Sequence, residues 1–388
     1  MPAEINRPDR ENNPFKQPIK RNMRLFAFAA FFLTFQSAAG QVLQPGFVKA
    51  EYLETLKINH RTHVPLNGWA DIDNIPEAEN FEFVYRSPVV AFDNIWDLWV
   101  HRDEPVAMIA IQGSIQTEAS FLANLYAAMI PASGEIQLDN DFLFDYKLAD
   151  HPNAAVQVGW FVAMAYLSRT VEAKIDSCYN AGIKDFILTG HSQGGGIAFM
   201  LNAHLQHMKA DGKLPGDITF KTYSSAGPKP GNLFFAYDYE KMNQGGWAFN
   251  VVNSADWVPD VPFSIQTVDD FTAVNPFRHA GAVIKKQKFP KNVALKRVYN
   301  QLSKPGLKAQ RNYEKYLGQM VSRAVAKQLP EFQAPEYYKS NYFVRTGHTI
   351  VLHPDEAYYA LYSNAPDNPN IWQHHWPEHY IYLTEKLE

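Results

Sequence analysis

The stretch from Asp185 to Met200 constrains this chain more than any other. It reads Asp-Phe-Ile-Leu-Thr-Gly-His-Ser-Gln-Gly-Gly-Gly-Ile-Ala-Phe-Met. Phe186 to Thr189 is a short apolar run bounded by a turn, the pattern of a buried strand, while Ile197, Met200, Leu201 and Leu205 recur at helical spacing. Between them Gly190-His191-Ser192-Gln193-Gly194 matches G-x-S-x-G, a strand-to-helix turn that exposes a serine hydroxyl. The glycines are needed because the backbone doubles back on itself, leaving no room for Cβ atoms. The same turn puts the Gln193 backbone N–H at a helix start, where it can face negative charge developing on an attacked carbonyl.

The surrounding chain supplies a sheet for this elbow. Trp96 to Arg102 and Val106 to Ile111 read as two strands joined by the tight turn Asp103-Glu104, the second a continuous apolar run suited to a sheet centre. Helical spacing follows at Phe121 to Ile130, then a Gly/Asp-rich loop through Asp145, and a long helix from about Gly159 to Ala181. After the elbow helix, Ile218 to Ser224 and Ala248 to Asn253 read as strands around a helix at Leu233 to Met242. Strands alternating with helices imply a largely parallel central sheet flanked by helices. Before all this, Tyr52, Leu53, Leu56 and Ile58 suggest a short helix within an N-terminal flank, 41–80.

Composition excludes several classes. A chain of 388 residues, 46% hydrophobic and with formal net charge −4, is globular and has no nucleic acid as its main partner. One cysteine, Cys178, rules out an intramolecular disulfide and reads as a small buried apolar residue. The pairs His60/His63 and His204/His207 lack the further ligands a metal needs, and Asp139/Asp141 read as a polar turn, so no metal is expected. Lys20-Arg21-Asn22-Met23-Arg24, an apolar Leu25 to Phe35 and then Ser37-Ala38-Ala39-Gly40 have the form of a secretory signal peptide over 1–40, cleaved near Ala39 or Gly40. Translation starting at Met23 would give that leader an ordinary length. The expected location is secreted or periplasmic.

A serine hydroxyl needs a base to take its proton and an acid to orient that base. Asp256, just past the Ala248 to Asn253 strand, is the acid that position favours, with Asp260 next. Among the later histidines, His279, His348, His353, His374, His375 and His379, spacing leaves the choice open.

The ensemble resembles a class 3 lipase, the family of fungal-type secreted triacylglycerol lipases and esterases, which have the α/β-hydrolase fold. Ala110-Ile-Gln-Gly-Ser114, the Gly-His-Ser-Gln-Gly elbow, the Val251 to Pro262 segment with Asp-x-Val-Pro, and His379-Tyr-Ile-Tyr382 carry the match. Gln112 stands where the family has arginine. The resemblance implies Ser192 as nucleophile, Asp256 as acid, His379 as base with His375 next, and Ser114 beside Gln193 as oxyanion donor. It casts His279, in Phe277-Arg-His279-Ala-Gly281, as structural. It also implies a lipid or other ester substrate, transient contact with a lipid interface, no cofactor and no obligate protein partner. The expected fold is therefore an α/β-hydrolase core, 81–289 and 345–388, with a helical insertion, 290–344, between the acid and the histidine.

That insertion is unusual in charge. From Ile284 to Lys327 twelve basic residues stand against Glu314 alone, so a basic face sits on an acidic body. Its aromatic residues, among them Phe332, Tyr337, Tyr338 and Tyr342, suit either packing against the sheet or a cap over the elbow, for which Ile115 to Tyr146 competes. Hydrolysis through an acyl-enzyme is the expected activity. The same triad would support acyl transfer, and a non-catalytic envelope-binding protein could use the basic face.

Overall fold

Apolar runs become the centre of one mixed sheet. The computed structural model describes residues 41–65, 75–364 and 370–388; the leader expected over 1–40 lies outside them. Helix α1 (Lys49–Arg61) precedes strands β1 (Phe81–Arg86), β2 (Trp96–His101) and β3 (Val106–Ile111). Helix α2 (Glu118–Leu125) leads into β4 (Met129–Pro131), β5 (Ser133–Asp139), β6 (Phe142–Lys147) and β7 (Ala155–Gln157). Then come α3 (Val158–Asn180), β8 (Asp185–His191), α4 (Gln193–Ala210) and β9 (Thr219–Ser225). β10 (Gly231–Asn232), α5 (Leu233–Met242) and β11 (Ala248–Asn253) follow. Beyond the acid lie α6 (Ala280–Lys285), α7 (Lys291–Glu314), a π-helical turn (Lys315–Met320), α8 (Val321–Gln328), β12 (Phe343–Val344), β13 (His348–Leu352), α9 (Glu356–Leu361) and α10 (Pro377–Glu385).

The main sheet has seven strands in the order β1-β2-β3-β8-β9-β11-β13. Strands β3 to β13 run parallel, and β1 and β2 are antiparallel at one edge. This is the α/β-hydrolase architecture expected from the sequence. Every residue of β3, β8 and β11 is buried, as a parallel sheet covered on both faces requires. Among the described residues no helix is long and apolar enough to cross a membrane.

Residues 126–147 depart from the expectation of a helix running to Ile130 and a loop to Asp145. Helix α2 stops at Leu125 because the start of α3 takes its carbonyls: Gln157 Nε2 donates to Ala123 O at 2.8 Å and Gly159 N to Tyr126 O at 2.9 Å. A Cβ on Gly159 would lie 2.2 Å from Ala123 O, so this approach requires glycine. The chain then enters a small sheet, β12-β10-β7-β4, and the supposed loop is the hairpin β5/β6, with Ile136, Leu138, Phe144 and Tyr146 buried. The period-2 spacing of those four residues was its signal.

The segment beyond the acid is divided in its packing. Its helices begin at Ala280, ahead of residue 290. Leu317 O accepts from Ala127 N at 3.0 Å and Ala128 N at 3.3 Å, Tyr337 and Tyr126 hydroxyls meet at 2.9 Å, and Val325 is fully buried. Those bonds clamp the π-turn and α8 onto the segment after α2. By contrast α6 and the first half of α7 bury no side chain.

Candidate active site

Strand β8 delivers the elbow to the carboxyl edge of the sheet. Ser192 has φ 61° and ψ −129°, a strained conformation for a residue with a Cβ, held because its N–H donates to Ser225 O at 2.9 Å. Two glycines permit the turn. A Cβ on Gly190 would lie 2.2 Å from Gly194 C, and one on Gly194 would lie 2.3 Å from Ile111 O. Gln193 is the first residue of α4, so no carbonyl of that helix can accept its N–H, which is left for a ligand.

The turn after β3 lies against the nucleophile. A Cβ built on Gly113 would sit 3.4 Å from both Ser192 Cβ and His63 Nε2. Ser114 is half-buried, and its Oγ accepts from Asn124 Nδ2 at 2.9 Å. Asn124 Oδ1 in turn accepts from Gln193 Nε2 at 3.0 Å and Trp160 Nε1 at 2.9 Å. Asn124 therefore ties Ser114 to the elbow residue, a role that nothing in the sequence pattern announced. Gln112 Nε2 donates to Thr62 O at 2.6 Å, fixing the end of β3 to the N-terminal flank.

Asp256 follows β11 and is buried, its Oδ1 accepting from Val258 N at 3.0 Å. Its Oδ2 accepts from His375 Nδ1 at 2.8 Å and from the Tyr380 hydroxyl at 2.7 Å. Burial first, and the adjacent Asp256 carboxylate, push the Tyr380 hydroxyl well above the ordinary phenol range, so it keeps its proton and donates. Asp260, the second choice for the acid, instead meets Arg345 at 3.4 Å on the surface.

His379, the base expected from His379-Tyr-Ile-Tyr382, is not among the hydrogen-bond partners of Asp256, whose histidine partner is His375. The cause is where α10 begins. Pro377 opens the helix, so His375 stays in the turn ahead of it while His379 faces inward against Tyr362, at 4.2 Å between ring centroids, and Tyr358. Both His379 ring nitrogens are buried without a partner, and desolvation holds its proton affinity down to about pKa 4. The other histidines lie elsewhere. His374 Nδ1 meets Tyr358 OH at 2.9 Å, His353 Nδ1 meets Ser254 Oγ at 3.4 Å, His348 packs on Phe249, and His279 bonds Ala273 O in an exposed turn.

His191, the x of G-x-S, holds the His375 loop. Its Nε2 lies 2.7 Å from His375 O and its Nδ1 lies 3.0 Å from Ser225 Oγ. A carbonyl only accepts, so Nε2 carries the proton and Nδ1 accepts from Ser225, whose oxygen takes the Tyr52 hydroxyl at 2.8 Å. Burial first, and then His375 nearby, hold the His191 pKa well below its ordinary value, which keeps the ring neutral and this tautomer fixed.

With the geometry in place, comparison with known proteins places the chain. Residues 108–266, from β3 past the acid, match the family Lipase (class 3). Secreted mono- and diacylglycerol lipase 1 of Fusarium solani is 26% identical over 171 residues, covering 42% of this chain and 48% of that protein. The chain thus spans about half the length of that curated relative. Among solved structures, the Rhizomucor miehei lipase propeptide complex aligns with TM-score 0.41 and 19% identity over 55% of this chain and 62% of that one. Lipase II from Rhizopus niveus aligns with TM-score 0.39 and 15% identity over 55% and 74%.

Proposed function

We propose that this protein is a secreted serine hydrolase that cleaves carboxylic esters of lipids through an acyl-enzyme at Ser192. The observation that carries this reading is the buried Asp256–His375 pair, held by His191 beside a serine on a strained elbow. His375 Nε2, the ring nitrogen left over from the bond to Asp256, takes the Ser192 proton as Oγ attacks the ester carbonyl. Asp256 keeps Nδ1 protonated and offsets the imidazolium charge. The tetrahedral oxyanion is received by the Gln193 N–H and by Ser114, and the proton passes from His375 to the departing alcohol. Water then repeats the sequence on the acyl-enzyme, releasing the fatty acid and restoring Ser192.

Lipid as the substrate class draws support from the apolar rim of the His375 loop. Trp257, Ile371 and Trp376 are exposed, and Trp372 lies 5.5 Å from the His375 ring. The Fusarium relative, named for mono- and diacylglycerols and for secretion, supports partial glycerides as substrates and export as the location. The test is fluorophosphonate labelling together with hydrolysis of esters of increasing chain length. Ser192→Ala should abolish labelling and lower kcat on the order of 10⁶-fold. Substantial hydrolysis by the purified variant would end the reading.

A further inference from the structure

Helices α6 and α7 carry an apolar face that is left uncovered among the described residues. Leu295, Val298, Tyr299 and Leu302 recur at i, i+3, i+4 and i+7 along α7, and with Phe277 and Ile284 they line an open groove of about 450 Å³. Exposure there is high: 78% for Leu302, 63% for Phe277, and 82% for Phe289 at the connection between the helices. Packing on the body would have buried them; the body is gripped instead by the π-turn and α8.

The charge beside this face is of one sign. Arg297, Lys304, Lys308 and Arg311 fall on the opposite side of the α7 wheel, and Lys285, Lys286 and Lys288 surround Phe289. None of the basic residues between 284 and 327 makes an ion pair among the described residues. Asp269 and Asp270 lie on the neighbouring turn, where Asp270 is already bonded to Thr267 and Ser340. The whole segment lies beyond the matched residues 108–266, so its character belongs to this chain rather than to the matched domain.

We propose that α6 and α7 form a docking surface for an anionic lipid membrane. An amphipathic helix with aliphatic and aromatic residues on one side and lysine and arginine on the other lies in the plane of a bilayer interface, its apolar side among acyl chains and its cations at the headgroups. A second copy of the chain fits poorly, because two strongly basic segments would face each other. The proposal concerns which surface the protein selects, and it stands independently of the hydrolytic reading.

The experiment is vesicle flotation of the full chain carrying Ser192→Ala, so that no lipid is consumed. Vesicles of phosphatidylcholine alone are compared with vesicles that also contain phosphatidylglycerol. Binding is expected only to the second kind, and raised salt should weaken it. Lys304→Glu with Lys308→Glu should lower binding about tenfold or more, and Val298→Asp with Leu302→Asp should lower it comparably, with thermal midpoints unchanged. Equal binding to both vesicle types, or full binding by either folded double variant, would overturn the proposal. So would a dimer in sedimentation that Leu302→Asp dissociates. A failed hydrolase reading would leave these outcomes as they are, since binding is read without catalysis.

Discussion

His375 and His379 are four positions apart, and their surroundings are opposite in kind. His375 bonds to Asp256 at 2.8 Å, whereas His379 has two unpartnered nitrogens in an aromatic pocket. His375→Ala should therefore approach the loss of Ser192→Ala, while His379→Phe should keep most turnover of a short soluble ester; the reverse pattern would exchange their roles. His379 also shapes acid stability. Its pKa is about 4 in the folded chain and about 6.5 unfolded, so as pH falls the unfolded state binds the proton first. Stability is lost from about pH 6.5 downward toward 4, and thermal midpoints measured across that window should fall less steeply in His379→Phe. His191, buried and shifted the same way, supplies part of the remaining slope. At the oxyanion side, Ser114→Ala should cost about 10²-fold or less in kcat. Asn124→Ala should mimic part of that loss without touching substrate, since it removes the bond that orients Ser114 Oγ.

Helices and strands divide by what the chain carries locally and what arrives from far away. Strands β3 and β8 and the elbow were legible because unbroken apolar runs and paired glycines are local signals, and the position of Asp256 just past β11 could be read the same way. The end of α2 was not legible, because Gln157 and Gly159, more than thirty residues on, take its carbonyls. The pairing of Asp256 with His375 was hidden for a related reason: H-x-x-Y marks His379, but Pro377 sets the helix start that turns His379 inward. The segment around α7 and α8 was left open between core and cap, since aromatic content is compatible with both. Packing separates its halves, and two substitutions read that directly. Val325→Ala, at a fully buried site, should cost about 2 kcal/mol. Val293→Asp, at 57% exposure near the start of α7, should change stability by no more than about 0.5 kcal/mol. Chemical denaturation of the two variants checks both values; a large effect of Val293→Asp would mean that α7 is packed.

Across the whole molecule, the N-terminal flank is tied into the sheet by charge. Lys221 on β9 is fully buried, and its Nζ donates to Glu51 Oε2 at 2.6 Å and Gln44 O at 2.8 Å, while the Tyr223 hydroxyl donates to the same Glu51 oxygen. Removing one partner leaves a buried ammonium uncompensated, so Glu51→Ala should destabilise by about 3 kcal/mol, and Lys221→Met in the same chain should recover much of it. A denaturation midpoint that does not move in Glu51→Ala would show that Gln44 and solvent suffice.

The same flank has a bearing on when activity can first exist. Tyr52 on α1 steadies Ser225 and through it His191, which holds the loop bearing His375; α1 is joined to α10 by Lys49 Nζ, which donates to Glu385 O at 2.8 Å across 336 residues. Contacts of such sequence separation form late, because a long loop must close before they give anything back. On the proposed mechanism, a growing chain that has already exposed Ser192 and Asp256 remains inert until α10 has been synthesised and has found α1. In refolding, ester turnover should return with the docking of α10 and never ahead of it.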